Sequence, residues 1–130
     1  MKKVLLVFLL ALLPGCKPEP VFQGKTVSGW RQDLKHRDEM ARWHAAEVFT
    51  VVGPPHSKKA LPELIELLRD SYSFNRIEAA YALAKIGPDA REAVPALMEM
   101  LKNPKKPVRE AAGEALKKID PEAAAKAGVE

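Results

Sequence analysis

Residues 76–88 of the chain read RIEAAYALAKIGP. Small or apolar side chains recur there at positions i, i+3, i+4 and i+7, which is the pattern of one face of a helix. These positions are Ala79, Ala82, Leu83 and Ile86. Gly87 and Pro88 follow, and they favour a sharp stop because glycine accepts a left-handed backbone and proline cannot continue a helix. The segment therefore predicts an amphipathic helix that ends at residue 86.

The same pattern occurs twice more along the chain. Residues 42–54 read RWHAAEVFTVVGP and residues 109–121 read REAAGEALKKIDP, so that Arg42, Arg76 and Arg109 align at spacings of 34 and 33 residues. A second block alternates with the first and reads TVSGWRQDLKH, ALPELIELLRD and AVPALMEMLKN. A fixed period of this length is typical of a solenoid built from helical pairs.

Each copy of each block predicts one helix, because the second block carries an apolar stripe as well, for example through Leu61, Leu64, Ile65 and Leu68. The six predicted helices cover about residues 27–36, 39–52, 60–69, 74–86, 93–102 and 106–119. No segment shows the alternation expected of a strand. The predicted fold is all-α, a short α-solenoid.

The two blocks, written as R..AA.AL..IG and A.P.L...L.D, resemble HEAT repeats of the short form found in phycobilisome-lyase-like HEAT proteins. The resemblance covers about residues 26–120. It implies that Arg42, Arg76 and Arg109 are structural ladder residues that each bond a neighbouring turn. It also implies that Asp70 and Asn103 are polar partners between helices, a position from which His36 departs. HEAT folds mostly serve as scaffolds and binding surfaces, so the resemblance does not imply lyase activity.

The first fifteen residues have the layout of a signal peptide. Lys2 and Lys3 make a positive start, and the apolar run over residues 4–13 is too short to span a bilayer, which takes about 20 residues. The four residues LPGC at 13–16 resemble the bacterial lipobox, and this resemblance implies that Cys16 receives a diacylglyceryl group and becomes the first residue after cleavage. Cys16 is the only cysteine. The alternative is an ordinary secretory signal with a spare thiol.

We therefore divide the chain into four parts: residues 1–15 as the signal peptide, 16–25 as the lipidated cysteine and an extended tether, 26–120 as the repeat domain, and 121–130 as a C-terminal tail that forms a loose closing turn. The resemblance to bacterial lipoproteins implies that an aspartate directly after the lipidated cysteine would favour the inner membrane of an enteric-type cell, and Lys17 stands there instead. The predicted location is thus the bacterial cell envelope, on the outer rather than the inner membrane.

Composition and residue spacing argue against several other functions. The formal net charge of +4 falls by two when Lys2 and Lys3 are removed, which leaves no electrostatic footprint for nucleic acid. The histidines His36, His44 and His56 lack the short paired spacing of zinc sites. No serine or cysteine stands in a nucleophile motif. We predict no enzymatic activity, no metal and no cofactor.

A candidate partner-binding face lies on the second helix of each pair. Its exposed columns hold Gln32, Glu66 and Glu99 and, three residues on, Lys35, Arg69 and Lys102. The resemblance implies that these helices line the concave side of the solenoid. One interpretation is ion pairing from i to i+3 on a solvated face, and the other is a polar groove in which a segment of a protein partner docks. The favoured function is a membrane-anchored scaffold for protein binding.

The alternative function is small-molecule binding, or an accessory role in an envelope enzyme, with Trp30, Trp43, Tyr72 and Tyr81 as the lining. An enclosed pocket above about 300 Å³ that touches these rings would favour it. The outer face of the last repeat is polar, at Glu110, Glu114 and Lys118, and so is Asp33 at the opposite flank. Polar end faces of this kind predict a monomer, because stacking needs apolar surfaces.

Replacement of Cys16 tests the lipid attachment directly. In cells that express the Cys16→Ser variant, we expect the protein to move from the membrane fraction to the soluble fraction, because two or more acyl chains give stable anchoring and their loss removes it. Fractionation of the cells with and without detergent measures the change. A variant that stays with the membrane and leaves it only in detergent would contradict the lipid assignment.

Overall fold

The computed structural model describes residues 17–130 and places the chain in an all-α fold with one small hairpin. The first-type helices, which come from the block that contains the repeated arginine, are Glu39–Val52 (α2), Ser73–Ile86 (α4) and Lys106–Ile119 (α6). The second-type helices, which come from the block that alternates with it, are Val27–Asp33 (α1), Leu61–Leu67 (α3) and Val94–Met100 (α5). Short 3-10 helices at Ser57–Ala60 and Gly87–Ala93 precede α3 and α5. The predicted α-solenoid is confirmed.

All six predicted helices are present. Those of the first type reproduce the predicted limits to within one residue. Those of the second type end two or three residues early, at 33, 67 and 100, because the chain then closes into tighter turns. In these turns the backbone N–H groups of Lys35, Arg69 and Lys102 donate to carbonyls three residues back. Within residues 17–130, no helix has the length and apolar character needed to cross a membrane.

The core runs along the first-type helices, with α4 packed between α2 and α6. Alanines at equivalent positions of the three repeats are fully buried, and they allow the helix axes to approach closely. Larger side chains from both helix types complete the core, namely Trp30, Leu34, Phe49, Leu64, Leu68, Leu83, Leu97 and Leu116. Each repeat therefore buries apolar surface on its neighbours, as a solenoid requires.

The glycine stops are formed as predicted in the first two repeats. Gly53 and Gly87 have φ of 60° and 76°, and their N–H groups donate to Phe49 and Leu83. In the third repeat Asp120 takes this position with φ of −148°, and its side chain accepts a hydrogen bond from the N–H of Ala123. Where glycine ends the helix in the first two repeats, aspartate in the third also caps the start of a further helix.

This further helix corrects the prediction of a loose closing turn at 121–130. Pro121–Lys126 forms α7, and the chain then turns back so that Val129 packs against the backbone of Gly113 in α6. The alanine-rich tail is short, but the Asp120 cap and the apolar contact of Val129 fix it in place. Part of the outer face of the last repeat is thereby covered.

The predicted extended tether is also revised in its second half. Val21–Phe22 and Lys25–Thr26 pair as a two-stranded antiparallel hairpin (β1 and β2). Gln23 and Gly24 between them both have positive φ, the backbone that a two-residue hairpin turn favours. Phe22 is partly buried, and its carbonyl accepts a hydrogen bond from the indole N–H of Trp30 at 2.8 Å. The residues that were predicted to be an extended tether are thus held to α1.

Two substitutions on α2 test whether the packed face carries the stability. Phe49 is 1% exposed and Val51, two residues on, is 72% exposed. Phe49→Ala should lower the free energy of unfolding by about 3–5 kcal/mol, because it leaves a cavity in the core. Val51→Ala should change it by less than about 0.5 kcal/mol. Urea unfolding of both variants measures the difference, and similar losses would mean that the burial of α2 is wrongly assigned.

Candidate functional site

The three repeated arginines form a ladder at the end of the fold where the second-type helices stop. The Nη1 of each donates to two backbone carbonyls in the turn that precedes its own helix. The acceptors are those of His36 and Arg37 for Arg42, Asp70 and Ser71 for Arg76, and Asn103 and Pro104 for Arg109, at 2.7–3.4 Å. These bonds satisfy carbonyls of the turns between helices, so the ladder has the structural role that the resemblance implied.

Asp70 is the polar partner that links the first two repeats. Its carboxylate accepts from Nε and Nη2 of Arg42 at 2.6 and 3.1 Å. It also accepts from the N–H of Tyr72 at 2.9 Å and from the amide of Asn75 at 3.2 Å. Burial raises the pKa of Asp70, but the bonds from Arg42, Tyr72 and Asn75 together outweigh it and hold the pKa below its ordinary value. Asp70 therefore stays charged well into the acidic range.

Asn103 occupies the same position one repeat later. Its Oδ1 accepts from the N–H of Lys105 at 2.9 Å, just as Asp70 accepts from Tyr72. The remaining amide group of Asn103 is a donor, whereas the second oxygen of Asp70 is an acceptor. The Nε of Arg76 is buried and has no hydrogen-bond partner among the described residues. The repeat geometry explains this, because a donor now stands where Arg76 needs an acceptor.

His36 takes only the turn-closing part of the role of Asp70, because its side chain makes no bond to an arginine of a neighbouring repeat among the described residues. The Nδ1 of His36 accepts from the N–H of Asp38 at 3.1 Å. An imidazole nitrogen therefore takes the role that carboxylate and amide oxygens take in the later repeats. All three turns are closed by a side-chain acceptor two residues before the N–H that it caps.

The six residues of the predicted partner face all lie exposed along the second-type helices and the turns that follow them. Glu66 pairs with Lys35 at 3.5 Å and Glu99 pairs with Arg69 at 3.3 Å. The expected i to i+3 pairs within one helix are absent from the part described, and Lys35 and Arg69 instead each reach the glutamate of the next repeat. Gln32 and Lys102, at the two ends, have no ion pair within residues 17–130. We call these six residues the charged row.

Two depressions adjoin the charged row and share Lys35 as a wall. One, of about 320 Å³, is lined by Ser28, Arg31, Gln32, Lys35 and Glu63. The other, of about 300 Å³, is lined by Leu34, Lys35, Arg42, Glu66, Leu67 and Asp70. Together they form an open groove across the first two repeats, lined by charged side chains and by the apolar Leu34 and Leu67.

Arg31 and Glu63 are groove residues that sequence reasoning missed. They pair across the first two repeats at 2.7 Å, and the carboxylate of Glu63 is largely buried. The Nε of Arg31 and the Oε2 of Glu63 are buried and have no hydrogen-bond partner in the described chain. A signal was available, because Arg31 stands in a column that holds apolar Ile65 and Met98 in the later copies.

The four aromatic residues of the alternative function do not come together. Trp43 and Tyr72 line an open depression of about 230 Å³ with Met40 and Phe74, both of which are more than half exposed. Trp30 is in the core, and Tyr81 is 44% exposed on another part of α4. The depression is smaller than the roughly 300 Å³ of typical ligand pockets, and it is not enclosed. The geometry does not favour small-molecule binding here.

The three histidines are also separate. His44 contacts Trp30 and Glu47, His56 contacts the ring of Phe22, and His36 closes the turn described above. Across residues 17–130, no cluster of histidine, cysteine and acidic side chains could hold a metal ion. Cys16, the predicted lipid attachment site, lies outside the described residues.

Comparisons with known proteins agree with this geometry. The family model described as HEAT repeats matches residues 27–117. An engineered protein of known structure is 25% identical with a TM-score of 0.67, over 79% of this chain and 52% of its own. The complex of CpcE and CpcF of phycocyanin lyase from Nostoc sp. PCC7120 gives 31% identity and a TM-score of 0.65, over 88% of this chain and 45% of that one. The chain thus spans about half the length of these solved structures. No curated protein matches the sequence.

Exchanging the acid and the amide between the two turn positions tests the ladder. At neutral pH, Asp70→Asn should lower the free energy of unfolding by about 1–3 kcal/mol, because Arg42 then faces a donor. Asn103→Asp should raise it by about 1 kcal/mol, because Arg76 gains an acceptor. Urea unfolding of the purified proteins measures both values.

The pH dependence of the Asp70→Asn effect provides the control. A carboxylate whose pKa is lowered by folding stabilises the protein above its unfolded pKa of about 4, and this contribution is lost as the pH falls through the lowered value. The difference between the parent and Asp70→Asn should therefore shrink in acid. A difference that stays constant from neutral to strongly acidic pH would rule out the Arg42–Asp70 pair as its source.

Proposed function

Because this chain belongs to the HEAT-repeat family, we propose that it is a lipid-anchored protein of the bacterial cell envelope that binds a protein partner and catalyses no reaction itself. The anchor is a diacylglyceryl group on Cys16, and the membrane is the outer one. The solenoid acts as a monomer and needs no cofactor. The partner docks along the charged row.

One observation carries the proposed docking site: the charged row runs over all three repeats, beside an open groove on the first two. Its ion pairs are exposed, with 54–66% of each side chain accessible. Exposed pairs contribute only about 0–1 kcal/mol each. A partner can therefore replace them at little cost and bring its own charges to the same side chains.

The spacing of the row indicates the form of that partner segment. Packed helices lie about 8–10 Å apart, and three residues of an extended chain span about 10 Å. An extended segment with acidic and basic residues about three positions apart thus matches the repeat.

A similar solved structure supports protein binding by this kind of fold. The phycocyanin lyase structure is a complex of two proteins, CpcE and CpcF, and this chain is similar to part of it. The lyase activity named there belongs to that assembly. For this chain we propose only that a helical-repeat surface engages another protein.

The proposed anchor rests on the sequence around Cys16. A single acyl chain gives marginal membrane binding, whereas the two chains of a diacylglyceryl group give stable anchoring. An unpaired cysteine in an exported protein is otherwise unusual. Lipid attachment accounts for both the cysteine and its position shortly after the apolar run at residues 4–13.

Charge reversal within the row tests the docking site. The double change of Glu66 and Glu99 to lysine should weaken capture of the partner in envelope crosslinking, because it removes both acidic positions of the row. A matched control reverses Glu114 and Glu122, two exposed glutamates that also pair with lysines but lie outside the row. Both variants should keep helical content and melting temperature within a few degrees of the parent. Equal capture by the two variants would mean that the row is only a solvated face.

A further inference from the structure

The chain enters the folded domain at a fixed point. The carboxylate of Glu19 accepts a hydrogen bond from the N–H of Ser28 at 3.0 Å and another from its hydroxyl at 2.8 Å. Ser28 lies in the first turn of α1. The residues that precede the hairpin are thus bonded to the start of the first helix.

The hairpin that follows is attached on its other side. Trp30 donates to the carbonyl of Phe22, and the amine of Lys25 lies 4.7 Å from the centre of the Trp30 ring while it pairs with Asp33. The ring of Phe22 also packs edge-on against His56. From Glu19 onward, therefore, the chain is bonded to the solenoid.

Only a short length of chain separates this point from the proposed anchor. Glu19 is three residues from Cys16. Even fully extended, three residues span only about 10 Å. A lipid on Cys16 thus has little reach, and the surface around Glu19 must lie close to the headgroups.

The solenoid has two edges, and Glu19 lies on one of them. The turn edge holds the start of α1 and the 3-10 helices Ser57–Ala60 and Gly87–Ala93, which are joined by an ion pair between Lys58 and Asp89. The ladder edge holds the turns at 34–38, 68–72 and 101–105. A first-type helix of 14 residues separates the two edges by about 20 Å.

We propose that the turn edge rests on the lipid headgroups and that the ladder edge faces away from the bilayer. The inference rests on the proposed lipid at Cys16. The exposed side chains of the turn edge are mostly polar or charged, including Lys58, Lys59, Asp89, Arg91 and Glu92, which suits a hydrated headgroup layer. The charged row lies at or just beyond the ends of the second-type helices, so this orientation turns it toward the aqueous side.

Site-specific fluorescence quenching tests the orientation on the full-length lipidated protein. Lys59→Cys places a probe on the turn edge, and Arg37→Cys places the matched probe on the ladder edge; both side chains are exposed. The proteins are reconstituted in vesicles of phosphatidylethanolamine and phosphatidylglycerol that contain headgroup spin-labelled lipid. We expect quenching at position 59, and at position 37 the same intensity as in vesicles without spin label. Equal quenching at both positions, or quenching at 37 alone, would overturn the proposal.

A lengthened linker tests whether the short chain between Cys16 and the folded domain sets the orientation. Twenty residues of glycine and serine inserted between Lys17 and Pro18 add a mean span of about 25 Å, which exceeds the distance between the edges. The difference between positions 59 and 37 should then be lost, and a difference that persists would overturn the role of the short linker. Flotation of the parent with the vesicles separates the two ideas. A parent that does not float overturns the anchor itself, whereas flotation with equal quenching overturns the orientation alone.

Discussion

The guanidinium of Arg42 joins the turn before its own helix to Asp70, which lies 28 residues further along the chain. It donates to carbonyls in the turn after α1, and its other two nitrogens donate to Asp70 at the end of α3. Both side chains are largely buried, at 16% and 9% exposure, so salt screens this pair much less than it screens an exposed pair. Removing either partner would leave a buried charge without compensation. The relative position of the first two repeats, and with it the groove that they share, depends on this pair.

The arginines of the ladder make fewer hydrogen bonds toward the C-terminus. The reason is the side chain that the turn holds at the position of Asp70 and Asn103. Asp70 offers two acceptor oxygens, whereas Asn103 offers one acceptor and one donor. Arg76 consequently keeps its carbonyl bonds but leaves its Nε without a partner. The contact between the last two repeats relies mainly on the packing of α4 against α6, where small buried side chains such as Ala80 and Ala111 lie. The two interfaces of this solenoid are therefore held by different balances of apolar packing and charge.

The features that the sequence predicted are those fixed by local chemistry. The stripe through Ala79, Leu83 and Ile86 and the stop at Gly87 specify a helix and its end within a few residues of chain. Each strand of the hairpin has only two residues, which is too few to show alternation in the sequence. The hairpin is held by a hydrogen bond from Trp30 to Phe22 that forms only in the folded chain. The pairing of Arg69 with Glu99 rather than with Glu66 of its own helix depends on the distance between repeats, which the period alone does not specify. Asp120 did offer a local signal, because an aspartate before a proline is also a helix start.

The direction of the helices connects the proposed anchor to the proposed binding face. Second-type helices start at the turn edge and end at the ladder edge, so Gln32, Glu66 and Glu99 all lie near the same end of the fold. If the turn edge rests on headgroups, the helices stand away from the bilayer and the repeats follow one another along it. Each seven-residue helix then raises its part of the charged row by about 10 Å. All three repeats present their charges at a similar height, and a partner that lies along the row meets each of them without having to enter the headgroup layer.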